Sequence, residues 1–439
     1  MTATTTGAET ADVVVIGAGI LGGAIALELA RDGRRVTVLD QGPVAGNGST
    51  LDSSAIIRCH YTVPASVSAA RDCYFDWIDW PGYTEHADPA GMIGYRPTGA
   101  LVLDPDGQNL DRIAERLAAA GIAAERLGPD ELAARFPALS TMRLGPPALP
   151  KDEAFWATSA DPLGAVFYPD AGYVDLPALA AQNLMAAAMR LGARFRRRQK
   201  VVEIVTARGR VAGARLATGE LISAPAIVNA AGPWSDTLNV AAGVTGDMAV
   251  RGRPLRVETH EVECPPEFAG ACGTFVTDQD LGTAFRPHGA SRLHISSTEP
   301  DCDPLEWVSS PDEYRRAPTE AVWTRQVLRV ARRLAGLKVP SRPTGVGALY
   351  DVTEDWTPII DKSQLPGFYL ACGTSGNSFK LAPLIGRAMR AIIVATEQGR
   401  DHDTNPVALP LKHLPGRLDL AAYSRLRKLD AGHPRNVLG

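Results

Sequence analysis

Gly17, Gly19 and Gly22 stand in the spacing that lets a backbone turn sharply and come close to a pyrophosphate. Ile20 and Leu21 lie inside that turn, where a helix opens, and the first N–H groups of a helix, at its positive dipole end, attract an anion. Asp40, 18 residues after Gly22, offers a carboxylate that can bind ribose hydroxyls. Together these features predict a dinucleotide site. A turn that needs glycine only for packing would leave Asp40 unexplained. The features do not separate NAD from FAD, so an NAD-dependent dehydrogenase stays open at this point.

Other residue types narrow the chemistry by what they lack. The six cysteines (Cys59, Cys73, Cys264, Cys272, Cys302 and Cys372) form no CxxC pair and no Cys/His cluster at zinc spacing, so neither a disulfide framework nor a metal is expected. Only seven of the 45 basic residues are lysines, which draws attention to Lys380, set between Phe379 and Leu381. A formal net charge of -4, with no basic stripe or tail, argues against a nucleic-acid partner.

The elements that must position these residues can be read in order. Residues 12–16 (DVVVI) form a buried strand, 17–22 the glycine turn, 24–31 a helix and 36–40 (VTVLD) a second strand, a complete strand–helix–strand unit. A helix is expected over 65–77. Residues 81–151 change to short strands and Pro-rich connections, an excursion into other structure. A second α/β stretch begins near Tyr168. Alternating strands fill 250–310, and an arginine-rich helix spans 311–337 with Val322, Val327, Val330 and Leu334 inward. The Pro-rich tail is expected to lie on the surface. The apolar run Ala11–Ala30 is broken by glycines and Glu28 and follows no basic residue, so it reads as strand, turn and helix rather than membrane span or signal. At roughly 150 residues per domain, 439 residues suggest two or three domains.

Three further segments make the chain resemble the D-amino-acid-oxidase (DAO) type of FAD oxidoreductases, and within it the sarcosine oxidase-like branch, from about residue 11 to 398. They are Tyr168–Leu238 with YPDAGYVDLPAL and VNAAGPWS, SSAIIRCHYT, and GFYLACGTSGNSFKLAPLIGRAM. The resemblance implies an FAD cofactor contacted also by Gln41, Ser49, Thr50, Val202, Ala231, Gly232, Trp234, Gly376, Asn377, Ser378 and Lys380. It implies that Arg58 and Lys380 hold a substrate carboxylate, Arg58 through the planar fork suited to two parallel hydrogen bonds. Tyr61 would be a pocket wall or donor. The expected reaction is loss of hydride from an α-C–H or N-methyl C–H to flavin N5, leaving an imine.

Two departures qualify that implication. Members that attach flavin through a cysteine carry it where this chain has Ala348, and no histidine lies between Gln41 and Arg58, so the FAD is expected to be noncovalent. Oxidases of the branch place a lysine over the flavin to speed reaction with oxygen. Here no lysine occurs between Lys200 and Lys338, and the matching strand offers His294 beside Arg292. His294 is a catalytic candidate or a sheet histidine, and a dehydrogenase using another electron acceptor competes with an oxidase. His60, His288, Tyr350, Phe155, Trp156 and Trp356 are weaker pocket candidates.

The resulting expectation is an α/β protein: a Rossmann-like, doubly wound FAD domain from 1–82, 160–248 and 344–405, an α+β substrate domain on an antiparallel sheet from 83–159 and 249–343, and a tail over 406–439. Its function would be oxidation of a secondary or N-methylated amino acid, or a related amine bearing a carboxylate, with oxygen or another acceptor, in the cytoplasm. An FAD subunit of a larger complex, with a partner subunit, is the rival.

Overall fold

The computed structural model describes residues 9–269 and 273–429. Residues 1–8, Cys272 and residues 430–439 of the expected segments lie outside it. Val13–Ile16 is apolar at every position and sits buried in the middle of a six-stranded sheet. The order of that sheet is Ile359–Lys362, Phe368–Cys372, Ala226–Asn229, Val13–Ile16, Val36–Asp40, Arg194–Arg197. All neighbours are parallel except the Ile359–Lys362 edge, so strands covered on both faces read as continuous apolar runs.

Alternation along the strands divides the two faces. Val13, Val15, Val36 and Val38 pack with the helices Ile20–Arg31, Pro177–Arg190 and Ala382–Glu397, while Val14, Ile16 and Leu39 pack with the three-stranded sheet of Val201–Ala207, Arg210–Leu216 and Leu221–Ser223. Gly386 lets the last of these helices close on the first, since a Cβ there would stand 2.6 Å from the Ala24 carbonyl oxygen.

A nine-stranded sheet forms the second body, antiparallel at every pair but one, where Phe275–Asp278 runs parallel to Ala100–Asp104. Gly164–Tyr168 and Val346–Val352 hydrogen-bond into this sheet, although the expected boundaries group them with the nucleotide-binding segments. The arginine-rich helix begins at Glu320 rather than 311, because Pro311 and Pro318 precede it and Thr319 accepts a hydrogen bond from the Val322 N–H. Beside the expected apolar face it buries Arg325, Arg329 and Arg333, which meet Asp303, Asp278 and Asp280.

The tail does not lie loosely on the surface. Ala408–Pro410 pairs with Arg417–Asp419, and Leu409, Leu418, Leu420 and Tyr423 are buried. Lys412 and His413 each reach Asp76 at 2.8 Å on the helix Pro64–Ile78. Arg425 is buried among Asp247, Asp361 and Asp403. Among the described residues no helix is long and apolar enough to cross a membrane.

Candidate active site

The glycine turn leaves the central strand with Gly17 at φ +104°, where a Cβ would come 2.3 Å from the Ala230 carbonyl oxygen. Gly22 stands against Gly17, with no room for a Cβ, so it closes the turn and does not line the cleft. The start of the helix is dressed by side chains from elsewhere. The Ile20 N–H donates to Thr50 Oγ1 at 3.0 Å, and the Ala18 N–H donates to Asp40 Oδ2 at 2.6 Å. Ser49 Oγ donates to the Leu349 carbonyl oxygen at 2.7 Å, tying this loop to the nine-stranded sheet.

These groups border a cleft of about 380 Å³. Gly17, Gly19, Ile20, Leu21, Asp40, Gln41, Ser49 and Thr50 line one part of it, and Ala231, Gly232, Trp234, Gly376 and Ser378 another. A Cβ at Gly232, φ +58°, would meet no protein atom within 4 Å, which leaves space beside the strand end. A glycine turn, a helix N-terminus and an acid at the second strand's end therefore converge on a cavity, the donor and acceptor set a dinucleotide requires.

Val202 is a correction. Its side chain is half exposed, and its neighbour Val201 lines the cleft, because successive strand residues face opposite ways. Sequence reasoning also missed Asp312, from the loop before the arginine-rich helix. It accepts from Trp234 Nε1 at 2.7 Å and pairs with Lys200 at 3.2 Å at the cleft edge, and the Trp234 bond is the chief cause holding its carboxyl low. Nothing local in PDEYRR announces that reach.

A smaller cavity, about 90 Å³, adjoins the first and shares Ser53, Tyr350, Gly376 and Phe379 with it. Arg58, Asn377 and Lys380 line it. Arg58 follows the short strand Ile56–Ile57, which pairs with Gly172–Val174, and Lys380 sits in the turn Phe379–Leu381 that opens the helix Ala382–Glu397. Arg58 Nη2 donates to Asn377 Oδ1 at 3.2 Å, and Lys380 Nζ donates to Tyr61 Oη at 3.1 Å and to the Asn377 carbonyl at 2.8 Å. Both cations lie over the Tyr61 ring, at 4.9 and 5.4 Å from its centre.

Arg58 and Lys380 are both buried, and among the described residues neither has a carboxylate within ion-pair distance. Burial first, then the Arg58 charge, pushes the Lys380 amine well below the ordinary lysine range. Burial likewise pushes the Tyr61 phenol up. A buried guanidinium and a buried amine that share Asn377 as a hydrogen-bond partner and lack a counter-ion form a site for an anion, whose arrival would favour the protonated amine.

His294 is not brought into either cavity, and this corrects its expected place over the cofactor. Ser296 lines the small cavity, but His294 lies two residues back along its strand, opposite Glu261 and Arg286. Burial pushes its imidazole well below the usual histidine range, so it carries no charge near neutrality. It clusters with Glu261 and His288. His60 is buried between the Tyr168 hydroxyl at 2.7 Å and Thr277 Oγ1 at 3.1 Å. Tyr350 and Trp356 line the small cavity, whereas Phe155 is buried against Arg332 and Trp156 is exposed. Among the described residues neither cavity is lined by a cysteine or histidine, and Ala348 is buried in its strand.

The family model of the FAD dependent oxidoreductases (DAO) matches residues 12–392. Peroxisomal sarcosine oxidase of Homo sapiens is 28% identical over 395 residues, spanning 86% of this chain and 90% of that protein. A 4-methylaminobutanoate oxidase (formaldehyde-forming) of Paenarthrobacter nicotinovorans is 23% identical over 97% of this chain and 49% of its own length. In fold, L-proline dehydrogenase from P. horikoshii superposes with a TM-score of 0.73 at 19% identity, covering 96% of this chain and 98% of that one.

Proposed function

The chain belongs to the FAD dependent oxidoreductase family, with FAD as its cofactor, and from that membership we propose that it oxidises the C–N bond of a secondary or N-methylated amino acid to an imine. The observation that carries this reading is the pair of buried basic side chains, the Arg58 guanidinium and the Lys380 amine, in a small cavity that shares a wall with the dinucleotide cleft. Gly17, Gly19 and the helix N-terminus would hold the pyrophosphate, and Asp40 the ribose. When bound, FAD supplies the hydride acceptor, at its N5.

The chain's own residues bind and orient. Arg58 offers a planar fork to the substrate carboxylate, and Lys380 adds a second donor whose position is set by Tyr61 and the Asn377 carbonyl. Fixing the carboxylate at one end fixes which C–H faces the cleft. Tyr350 and Phe379 line both cavities and put aromatic surface at their junction. An amine bearing a carboxylate is the chemistry common to sarcosine, 4-methylaminobutanoate and L-proline, the compounds named for the similar proteins.

We further propose that the FAD is noncovalent and that the protein works in a reducing cytosol, where the five cysteines among the described residues, none of them paired, would persist. The electron acceptor is decided by the same experiment as the substrate. The holoprotein is mixed anaerobically with sarcosine, L-proline and primary amino acids while the visible flavin band is watched, and air is then admitted. Bleaching by a secondary amino acid is the expected outcome. Rapid return of colour identifies an oxidase and slow return a dehydrogenase, while no bleaching by any amino acid defeats the reading in favour of an electron-relaying subunit.

A further inference from the structure

Thr277, Ala284 and Ser296 are register partners across the neighbouring strands Phe275–Asp278, Thr283–His288 and Arg292–Ser297, and all three line the small cavity. Paired residues share one face of a sheet, so these form a floor, while Val276, Phe285 and Ile295 pack together in the core on the other face. The floor carries two hydroxyls in different situations. Ser296 Oγ donates to the Ala284 carbonyl oxygen at 3.2 Å, which uses its proton. Thr277 Oγ1 lies 3.1 Å from His60 Nε2 and has no other hydrogen-bond partner among the described residues.

The protons around His60 decide which of the two donates. Tyr168 Oη accepts from the Cys59 N–H at 3.0 Å and lies 2.7 Å from His60 Nδ1. With the ring proton on Nδ1, the fully buried Tyr168 hydroxyl would have no acceptor for its own proton among the described residues. With Tyr168 donating to Nδ1, the proton of the neutral ring sits on Nε2 and goes to Thr277. Only the second arrangement leaves no buried donor unmatched. Burial pushes the imidazole well below the usual histidine range, so its two nitrogens are not protonated together near neutrality. Thr277 therefore accepts from His60, and its own proton turns away from the ring, free for an acceptor in the cavity that the residue lines.

We propose that His60 is a positioning residue that fixes the Thr277 hydroxyl as a hydrogen-bond donor to the substrate carboxylate. This rests on the reading of the small cavity as the substrate site. Arg58 Nη1 donates to the His60 carbonyl oxygen, so the main chain of one residue anchors the guanidinium while its ring orients the threonine. A carboxylate offers about four acceptor positions, of which the Arg58 fork can fill two. A neutral hydroxyl fills another without burying a further charge beside Arg58. A donor whose proton is already oriented also loses little freedom when the ligand arrives.

The test uses propanoate, which has the carboxylate and no amine to react, titrated into the FAD-loaded protein and followed by calorimetry. Thr277→Val keeps the shape and removes the hydroxyl, and it should weaken propanoate about 10-fold, the lower end for a hydrogen bond to a charged partner. Thr277→Ser should bind close to the wild type. His60→Leu should weaken propanoate by a similar factor, and His60→Gln, whose amide can donate where Nε2 does, should recover most of the loss. Joining Thr277→Val to His60→Leu should weaken binding no further, because the ring acts only through the hydroxyl. The Arg58 anchor is a main-chain carbonyl and survives each of these changes. Unchanged affinity in Thr277→Val, additive losses in the double variant, or no binding of propanoate by the wild type would overturn the assignment. Nitrogen-15 spectra of the histidine-labelled holoprotein, with His60→Gln identifying the His60 signals, test the tautomer whether or not His60→Leu folds. They should show protonation at Nε2 alone, and a proton on Nδ1 would defeat the proposal. Thr277-dependent propanoate binding in a protein whose flavin no amino acid reduces would sink the oxidation reading alone.

Discussion

Lys380 Nζ and Tyr61 Oη lie 3.1 Å apart, although 319 residues separate them in the chain. The contact joins the helix that closes the first sheet to the loop after Ile57, and it holds an amine that burial drives toward its neutral form. It is also the contact whose removal most directly tests the carboxylate clamp.

Arg58→Ala and Lys380→Met should each lower kcat/KM for a carboxylate-bearing amine by about 10- to 100-fold, the range for losing a charge-assisted hydrogen bond. Stability should respond differently. Lys380→Met removes a desolvated amine, so its melting temperature should equal or exceed that of the wild type. Anaerobic flavin reduction together with a melting curve checks both, and two variants that bind and reduce normally would refute the clamp.

Asp351 is fully buried, and burial is the main cause that raises its carboxyl to about 7, opposed by the Gly373 N–H it accepts. An unfolded aspartate titrates near 3.9, so between roughly pH 4 and 7 the native state holds a proton that the unfolded chain has lost. Stability therefore falls as pH rises through that window, by about 4 kcal/mol in all, and is flat with respect to this group above it. Asp351→Asn should be more stable than the wild type at pH 8 and close to it at pH 4. Urea unfolding at fixed FAD across this range reads the difference, and parallel pH profiles would contradict it.

Gly376 has φ +66°, and a Cβ there would stand 2.3 Å from the Tyr350 ring, between the two cavities. Gly376→Ala must displace the ring or the loop. A displacement of about 1 Å near reacting atoms can cost on the order of 100-fold in rate. Turnover should drop by that order, with altered flavin absorbance in the resting protein. Steady-state kinetics and a visible spectrum suffice to check it.

Arg333 donates to Asp278 and Asp280 at 2.7 Å each, with none of the three side chains exposed to solvent. Arg333→Met leaves two carboxylates buried without their partner, which should cost about 3–5 kcal/mol. Replacing both aspartates by asparagine in the same variant should recover much of the loss, and denaturant unfolding of the two proteins gives the comparison.

FAD should leave the chain completely on acid precipitation. Flavin that stays with the pellet would show a covalent bond and redirect attention to residues such as Tyr350 at the cleft.

What could be read from the chain alone was whatever rests on local rules. Glycine spacing, an apolar strand and an acid at fixed distance sufficed for Gly17, Gly19 and Asp40, because turn and helix geometry make those positions meet. Arg58, Tyr61 and Lys380 were named from resemblance, and their convergence depends on strand pairings that no local pattern contains. Val202 failed by one residue because strand register decides the face. His294 lies on the correct strand but two positions from the cavity. The buried face of Arg325, Arg329 and Arg333 was hidden because their carboxylate partners are supplied by distant loops.

The strand order of the first sheet also bears on how the protein is made. Phe368–Cys372 must add beside Ala226–Asn229, and Ala382–Glu397 must settle on Ile20–Arg31, before the cleft has all its walls. A nascent chain that has left the ribosome only as far as residue 350 has Ala226–Asn229 as an open sheet edge and lacks the cleft wall that Ala371, Thr374, Gly376, Ser378 and Phe379 supply. Capture of the cofactor thus belongs after the release of nearly the whole polypeptide, and a stalled or shortened product would expose an apolar edge that quality-control machinery can detect.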